Sequence, residues 1–454
     1  MCYFTEWTID YVLARDNITV EPLLVTLQFR VWTFNFVSIM NSTQKSFFSG
    51  QVFSLLLARI FYSANWFNIS SIFFLIAYDL KLDISMLGLV TSSFMIGVGL
   101  FQVPAGIIAA RYGADKIAVF GILLASSCAL VTGLSENIIQ IAILRFIVGV
   151  GMACFFGPSI ILISKFLGRR SEGLGIGLIN SAHAIGGILG IFTWVLLAQL
   201  TGWRTGLIIG GALGLFTGLI LSVSLSRTYS NSLSRAEIIH QHNSEPSSDS
   251  EAKKIGPTRG ISMSGLRRTI FNKRLIILGS TLLSFQAGSS IILTFIVLYL
   301  GETLGIGYTI AGLIGSLNLV IALFSSPVFG LFYDRTRKAK KILIISGLAS
   351  GICIWGMTIP STYVIIPSMI LSAIFLSAGF VVVYAEAKRT NVLQGLDLKY
   401  QTLAVSFVNG ISLFGAFWVP FLFSFATEHF GFSIAWFVGG LIVLAFIIPA
   451  FKLN

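Results

Sequence analysis

Charged residues are scarce in this sequence, at 11% of 454 residues, and only 18 residues are acidic. Water-soluble domains contain about 25% charged residues, so a soluble protein of this composition would have too few polar side chains to cover its surface. Hydrophobic residues make up 55% of the chain even before its 45 glycines are counted. The composition therefore excludes a soluble enzyme and indicates an integral membrane protein.

Histidine and cysteine are also scarce, with four of each. The cysteines are isolated from one another, and the close pair His240 and His242 is too sparse for a metal site. A membrane-embedded enzyme would need clustered histidines or acids at the membrane face. We therefore expect no enzymatic activity, no metal and no cofactor.

Long apolar runs make up most of the sequence. A helix that crosses a bilayer needs about 20 apolar residues, whereas strands of a membrane barrel alternate over about 10 residues. We predict an all-α membrane protein with twelve transmembrane helices. The predicted spans are 52–77, 85–108, 117–134, 139–163, 173–199, 205–226, 275–299, 308–332, 342–360, 364–384, 402–424 and 434–451.

Lysine and arginine lie almost entirely on one side of these spans. With residues 1–51 placed in the cytoplasm, 26 of the 30 basic residues fall in cytoplasmic segments, and only Lys81 and Arg204 fall opposite. Basic residues favour the cytoplasmic side, so we predict a multi-pass protein of the cell membrane with both termini cytoplasmic. The same asymmetry accounts for the net charge of +12, and a nucleic-acid partner is not expected.

One long polar stretch, residues 227–274, follows the sixth span. Its Ser-rich, mixed-charge composition is typical of a flexible linker, in which a short surface helix can form. It separates a predicted N-terminal six-helix bundle at 52–226 from a C-terminal bundle at 275–454. Residues 1–51 match neither a signal peptide nor a span, and we interpret them as a cytoplasmic tail, with Met40 as an alternative translation start.

The two predicted bundles share an internal repeat. Four residues around the second span of each half correspond at a constant offset of 224 positions, and both basic loop residues are among them. The pairs are Gly88 with Gly312, Gly106 with Gly330, Arg111 with Arg335 and Lys116 with Lys340. The repeat predicts duplicated, pseudo-symmetric halves.

Two short motifs resemble signatures of a known family. The sequence GLFYDRTRK at 330–338 closes the eighth span, and Arg145 begins an Arg-x-x-x-Gly-x-Gly pattern in the fourth. Both are similar to motifs of the major facilitator superfamily. The resemblance covers residues 50–452 and implies two pseudo-symmetric six-helix bundles that move a solute by alternating access.

The resemblance also marks residues of two cytoplasmic loops as gating residues. In the second half, Asp334 can face the positive end of a neighbouring helix and stabilise one access state. In the first half, Ala110 replaces the acidic residue, so the matching contact should be weaker. The gating residues implied in this way are Gly106, Arg111, Gly113, Gly330, Asp334 and Arg335.

Arg145 is a cation at membrane depth, where a charge is costly and is functional by default. No other charged residue lies in its predicted span. By resemblance to the family motif, Arg145 takes part in coupling or substrate binding. The alternative is a structural arginine that satisfies backbone carbonyls or extends to the membrane surface.

His183 lies near the middle of the fifth predicted span. An imidazole titrates near neutral pH and can carry a proton or bind an anion, although a packing role is the alternative. The surrounding sequence is similar to the family's antiporter motif, but Ala182 and His183 replace its Gly-Pro pair. This difference disfavours efflux.

Acidic residues are missing from the middle of every predicted span, and the nearest are Asp79 and Glu386. A cavity with Arg145 and His183 but no acid favours an anionic or neutral solute. Arg59 is expected to extend back to the cytoplasmic interface, with a second positive site as the alternative. Polar residues expected either to line the cavity or to form interhelical hydrogen bonds are Tyr62, Asn65, Gln102, Asn180, Gln286, Asn318 and Asn409.

These features predict a secondary transporter that performs proton-coupled uptake of an anionic metabolite. The alternative is proton-driven efflux of lipophilic drugs or metabolites, which a cavity rich in the chain's 39 phenylalanines would suit. The expected partners are a small-molecule substrate, protons and the lipid bilayer, and we expect a monomer. A channel has no need of duplicated halves with gate motifs, and a transporter-like receptor would carry a signalling domain.

Overall fold

The computed structural model describes residues 50–167, 172–242, 263–392 and 398–453, and these residues are almost entirely helical, with no strand among them. The N-terminal tail, together with the alternative start at Met40, lies outside the described residues. The all-α prediction is confirmed for the part of the chain that is described.

Seven helices form the first half of the described chain. The fifth and sixth are joined by a π-helical turn at Leu189–Thr193 and together make one crossing. The helices are α1 (Gly50–Leu80), α2 (Ser85–Tyr112), α3 (Ala114–Thr132), α4 (Ile138–Leu167), α5 (Glu172–Ile188), α6 (Trp194–Thr201) and α7 (Trp203–His242).

The second half begins with a short helix, α8 (Met263–Ile270), and continues with six longer ones. A 3₁₀ turn at Ile448–Lys452 ends the described chain. The longer helices are α9 (Lys273–Leu304), α10 (Tyr308–Thr336), α11 (Ala339–Gly356), α12 (Thr362–Val392), α13 (Leu398–Ala416) and α14 (Trp418–Phe446).

Helix α14 folds back on itself at Gly431, whose φ of 83° and ψ of 166° are not helical. In a straight helix, Phe423 and Trp436 would be about 20 Å apart, but their ring centroids are 4.8 Å apart. Among the described residues, eleven helical stretches are long and apolar enough to span a membrane, and the last, Leu403–Lys452, has 50 residues. Because that stretch crosses twice, the twelve predicted spans are confirmed.

Two helices extend beyond the apolar runs that predicted them. Helix α7 continues to His242, so the first part of the predicted linker is helical. Helix α12 continues to Val392 and includes Glu386. Hydropathy marks where a helix leaves the lipid but not where its hydrogen bonds end, because a helix can continue into water.

The connections between helices define two ends of the molecule. The short-loop end contains the turns at 81–84, 133–137, 202, 305–307, 357–361 and 431. The terminal end is the opposite one, where α1 begins and where Gly113 and residues 337–338 connect helices. Segments 168–171, 243–262 and 393–397 lie outside the described residues.

Helices α1–α7 form the N-terminal bundle and α9–α14 form the C-terminal bundle. The bundles meet where α2 packs against α13 and α14, and where α5 packs against α10. Within the N-terminal bundle, a Cβ at Gly149 would lie 2.4 Å from the carbonyl oxygen of Phe94, so only glycine permits this approach of α4 to α2. Gly149, which belongs to the Arg-x-x-x-Gly-x-Gly pattern, therefore has a packing function.

The two bundles are joined at the short-loop end. The backbone N–H of Ser85 donates to Glu428 Oε2 at 2.9 Å, and Thr309 Oγ1 donates to Gln199 Oε1 at 2.6 Å. The rings of Phe74 and Tyr308 stack with centroids 3.6 Å apart. These contacts all cross from one bundle to the other and close this end.

Toward the terminal end, the bundles separate. A Cβ built at Gly106 in α2 would meet no atom within 4 Å, whereas one at Gly88, near the short-loop end of the same helix, would overlap Ser424 and Pro420 of α14. A Cβ at Gly330 in α10 would contact only Val381, which belongs to its own bundle. The structure is closed at the short-loop end and open at the terminal end.

Candidate substrate-binding site

Arg145 is held by the N-terminal bundle itself. Its Nη1 donates to the carbonyl oxygen of Asn65 at 2.9 Å and its Nη2 to that of Trp66 at 3.1 Å, both in α1. The guanidinium carbon lies 4.8 Å from the ring centroid of Phe94 in α2, and the residue is 3% exposed. Arg145 therefore links three helices, and its charge is already stabilised without a carboxylate.

Arg59 lies deeper than the sequence suggested. The residue is 2% exposed, with its guanidinium carbon 4.3 Å from the ring centroid of Tyr62 and 5.3 Å from that of Phe156. The expectation that it extends back to the membrane interface is therefore wrong, because two aromatic faces hold the cation inside the bundle. Phe156 comes from α4, a partner that the local sequence around Arg59 could not indicate.

Two nitrogen atoms of Arg59 lack hydrogen-bond partners among the described residues. Both Nε and Nη1 are buried, and neither has an acceptor within hydrogen-bond distance. Buried polar groups are satisfied in the great majority of proteins, and a buried charge is costly when it is not paired. Arg59 thus presents unused donors to any acceptor that can reach it.

Two further residues, one from each bundle, interact electrostatically with Arg59. His183 in α5 and Tyr384 in α12 lie within its electrostatic range. The hydroxyl of Tyr384 donates to Asn409 Oδ1 in α13 at 2.8 Å. The cation thus belongs to the N-terminal bundle, and its polar neighbours across the interface belong to the C-terminal bundle.

His183 has one unused ring atom. Its Nδ1 is buried without a hydrogen-bond partner, and its ring lies beside Trp66 and Phe67 at centroid distances of 6.4 and 5.9 Å. The hydroxyl of Ser63 donates to the His183 backbone oxygen at 2.6 Å, which fixes α5 against α1. The imidazole is held in place by packing, and its Nδ1 is the ring atom left without a partner among the described residues.

The two arginines lie at different depths. Arg59 is nine residues from the start of α1, and Tyr384 is eight from the end of α12, so both lie about 12–14 Å from the terminal end. Arg145 is seven residues from the start of α4 at the short-loop end, about 10 Å from that end. Arg59 and Tyr384 therefore lie at a similar depth nearer the terminal end, and Arg145 lies nearer the short-loop end.

The other candidate residues have mixed surroundings. Asn65 Nδ2 donates to the Gly210 carbonyl at 3.3 Å, within the N-terminal bundle, and Tyr62 packs between Trp66 and Phe155. Gln286 is half-buried in α9. Two residues at the interface between the bundles have buried side-chain atoms without partners, namely Asn318 (Nδ2) and Gln102 (Nε2 and Oε1). Asn180 is exposed.

The acidic residues near the spans are already paired elsewhere. Asp79 pairs with Arg204 at the short-loop end. Glu386, 2% exposed, pairs with Arg274 and accepts a hydrogen bond from the hydroxyl of Tyr333. Among the described residues, neither Arg59 nor Arg145 has a carboxylate within ion-pair distance.

The predicted gating residues lie at the open terminal end. Asp334 pairs with Arg337 of its own loop at 3.3 Å rather than with a neighbouring helix. Arg111 lies over the ring of Tyr112, and Gly113 adopts a φ of 104° that favours glycine. Arg335 is exposed. In this open arrangement, the loop contacts stay within each bundle.

Comparison with known proteins places these features in context. A sequence model of the Major Facilitator Superfamily matches residues 55–387. The benzoate transport protein of Acinetobacter baylyi is 30% identical over 125 residues, which are 25% of this chain and 27% of that protein. The probable sulfoacetate transporter SauU of Cupriavidus necator is 23% identical over 299 residues, which are 63% of this chain and 66% of that protein.

The fold is also similar to solved structures. A bacterial homolog of the human lysosomal transporter Spinster, in an inward-facing and occupied conformation, superposes with a TM-score of 0.65 at 16% identity. The match covers 88% of this chain and 94% of that one. At this identity, the similarity concerns the arrangement of the helices.

Proposed function

Because the chain belongs to the major facilitator superfamily, we propose that it takes up a small organic anion by alternating access, with protons as the coupling ion. Membership of this family makes it a multi-pass membrane transporter and not an enzyme. The anionic substrate, the inward direction of transport and the coupling to protons are the parts of this function that we propose.

The proposal of an anionic substrate rests on the buried positive charges of the N-terminal bundle. The interior of the N-terminal bundle contains two buried guanidinium groups, and within the described residues neither is paired with a carboxylate. A cationic substrate would be repelled by this interior, whereas an anion would be stabilised by it. The names of the two curated relatives also indicate anions, since benzoate is a carboxylate and sulfoacetate carries a carboxylate and a sulfonate.

The open terminal end gives the substrate its route. Loops rich in lysine and arginine connect the helices at this end, which favours a cytoplasmic position. Under this proposal, an imported solute leaves through the terminal end. Opening of the short-loop end requires the contacts of Glu428, Thr309 and Tyr308 to break.

Proton coupling requires a group that titrates near the substrate. His183 packs against α1 one turn from Arg59, through the hydrogen bond from Ser63 to its backbone oxygen, and its Nδ1 has no partner among the described residues, so it is our candidate for the coupling proton. An anion bound between His183 and Arg59 would favour the protonated imidazole. Proton and anion would then bind together, as symport requires.

Uptake into proteoliposomes tests this function. Vesicles containing the purified full chain are mixed with labelled benzoate, with and without an inwardly directed proton gradient. We expect uptake above that of protein-free vesicles, and faster uptake when the outside is acidic. A protonophore is the control for the gradient.

The efflux alternative predicts a different result. If no carboxylate or sulfonate is transported, while a lipophilic cation is exchanged for protons in the same vesicles, then the protein performs efflux and the anion proposal is wrong.

A further inference from the structure

We propose that Arg59 is the anion-binding residue and that a bound carboxylate bridges it to Tyr384 and Asn409 of the opposite bundle. This inference rests on the proposed anion transport and identifies its binding site. The ligand class is a monocarboxylate with a flat apolar body, of which benzoate is the simplest example.

Arg59 has donors that its surroundings leave unused. Tyr62 and Phe156 cover the guanidinium, and ring contacts of this kind leave N–H groups, which lie in the guanidinium plane, without acceptors. Nε and Nη1 are indeed buried and without partners among the described residues. A carboxylate offers two oxygens that match guanidinium donors, and such charge-assisted hydrogen bonds are about twice as strong as neutral ones.

The C-terminal bundle contributes two polar residues, Tyr384 and Asn409. Tyr384 lies within electrostatic range of Arg59, and its hydroxyl is oriented by the 2.8 Å hydrogen bond to Asn409 Oδ1. With its oxygen occupied by that bond, the Asn409 side chain has an amide NH₂ group to donate. A carboxylate bound to Arg59 can accept from this group once the bundles approach.

Arg145 differs from Arg59 in the hydrogen bonds that its guanidinium group makes. The two terminal nitrogens of Arg145 each donate to a backbone carbonyl of α1, and its guanidinium packs on Phe94. Its Nε is also buried without a partner among the described residues, but both of its terminal nitrogens are occupied, whereas one terminal nitrogen of Arg59 is not. The two buried cations thus divide into one that stabilises the bundle and one that awaits an anion.

Aromatic rings near Arg59 and Tyr384 indicate the shape of the substrate. The groups close to Arg59 are ring faces, from Tyr62 and Phe156, and Phe380 lies 6.2 Å from Tyr384 in centroid distance. Aromatic walls favour a flat apolar body. Within the described residues there is no second unpaired cation at this depth, so the site suits one negative charge.

The site also explains how binding is linked to closure. Nε and Nη1 of Arg59 are buried without partners among the described residues, and Tyr384 and Asn409 of the C-terminal bundle are uncharged polar groups. A carboxylate held by both bundles stabilises the arrangement in which the terminal end is closed. Substrate binding would then favour the change of access that transport requires.

Thermal unfolding and calorimetric titration of the full chain in detergent test the inference. The ligands are benzoate and benzamide, which share the ring but differ in charge. We expect benzoate, and not benzamide, to raise the melting temperature of the wild type. Arg59→Gln should weaken benzoate binding at least about tenfold without lowering the melting temperature of the free protein, because an unsatisfied buried charge is removed.

The matched control is Arg145→Gln. This change should lower the melting temperature of the free protein, because two hydrogen bonds are lost, while benzoate still binds to the folded fraction with nearly wild-type affinity. Tyr384→Phe should weaken binding about threefold to tenfold, since it removes the group that orients Asn409. Arg59→Lys keeps the charge and should bind benzoate more tightly than Arg59→Gln.

The outcomes are distinguishable. If the wild type responds to none of a panel of carboxylates, sulfonates and phosphates, the proposed function itself is wrong. If the wild type binds benzoate and Arg59→Gln binds it equally well, anion transport stands but this site is wrong. If Arg59→Gln does not fold, Tyr384→Phe and Arg59→Lys decide the question, and unchanged affinity in both overturns the site.

Discussion

Two buried cations of this transporter, Arg145 in the short-loop half and Arg59 in the terminal half, differ in how their terminal guanidinium nitrogens are bonded. In the short-loop half, Arg145 donates to two carbonyl oxygens and Ser85 donates to Glu428 across the bundle interface. In the terminal half, Arg59 has unused N–H groups and Gly106 has open space around it. Burial of a charge in a membrane protein therefore does not by itself identify a substrate site; the decisive feature is whether the protein already satisfies that charge.

The largest expected effect comes from removing a satisfied charge. Arg145→Gln should lower stability by about 2–4 kcal/mol, because hydrogen bonds from a charged group and a cation–π contact are lost. Tryptophan fluorescence during thermal unfolding in detergent measures this effect. Arg59→Gln is the matched control and should not lower stability. If the two variants are equally destabilised, the contrast between the two halves does not exist.

A smaller effect is expected from filling the interface at the short-loop end. A methyl group at Gly88 would overlap Ser424 Oγ and the carbonyl oxygen of Pro420 in the other bundle. Gly88→Ala should therefore disfavour the closed short-loop end by about 1–3 kcal/mol. The protein should then populate the state that is closed at the terminal end.

Alkylation of a cysteine introduced as Gly106→Cys, with the native cysteines replaced, reports on this shift. Gly88→Ala should slow the alkylation, because the terminal end closes. Gly410→Ala is the control, since its methyl group would have ordinary contacts, 3.5 Å from Gln102. Equal alkylation rates in the two variants would contradict a closed contact at Gly88.

Loss of the carboxylate at the short-loop end should have a more modest effect. Helix α2 begins without a side-chain cap of its own, and Glu428 of the other bundle accepts the Ser85 N–H. Because Glu428 is exposed, Glu428→Ala should shift the access equilibrium by at most about 1 kcal/mol. Glu428→Gln keeps an acceptor and should shift it less, as measured with the same cysteine. A larger effect of Gln than of Ala would rule out this explanation.

The smallest effect is expected at the gating loop of the terminal end. Asp334 and Arg337 form an exposed pair in the open state, and pairs of this kind contribute little. Asp334→Asn should change thermal stability by less than about 0.5 kcal/mol. Its effect should appear instead in cysteine accessibility, if Asp334 stabilises the state in which the terminal end is closed. A large loss of thermal stability would show that the pair already acts in the open state.

Much of the fold could be predicted from the sequence because it depends on local composition. Apolar runs gave twelve spans, and the alignment of Gly88 with Gly312 indicated the duplication. The turn at Gly431 fell correctly between the last two spans, although the helical run continues through it. The end of α7 was not predicted, because residues after Ser226 are polar and composition alone does not distinguish a helix in water from a linker.

The site was only partly predictable, since it depends on contacts between distant segments. Arg145 stood out because it is the only charge in its span, but its carbonyl partners lie 79 and 80 residues earlier in the chain. Arg59 lies near the predicted membrane boundary, so its depth suggested an interfacial position. Only the packing of Phe156 from α4 over the guanidinium showed that this cation is held inside.

Benzoate counterflow tests the central claim most directly, because it requires only binding and a change of access. Proteoliposomes loaded with unlabelled benzoate are diluted into labelled benzoate, and the entry of label is followed for wild type and Arg59→Gln at a benzoate concentration below saturation. The account predicts rapid entry with the wild type and entry at least about tenfold slower with Arg59→Gln. Equal entry with both proteins would show that the unpaired guanidinium does not bind the anion.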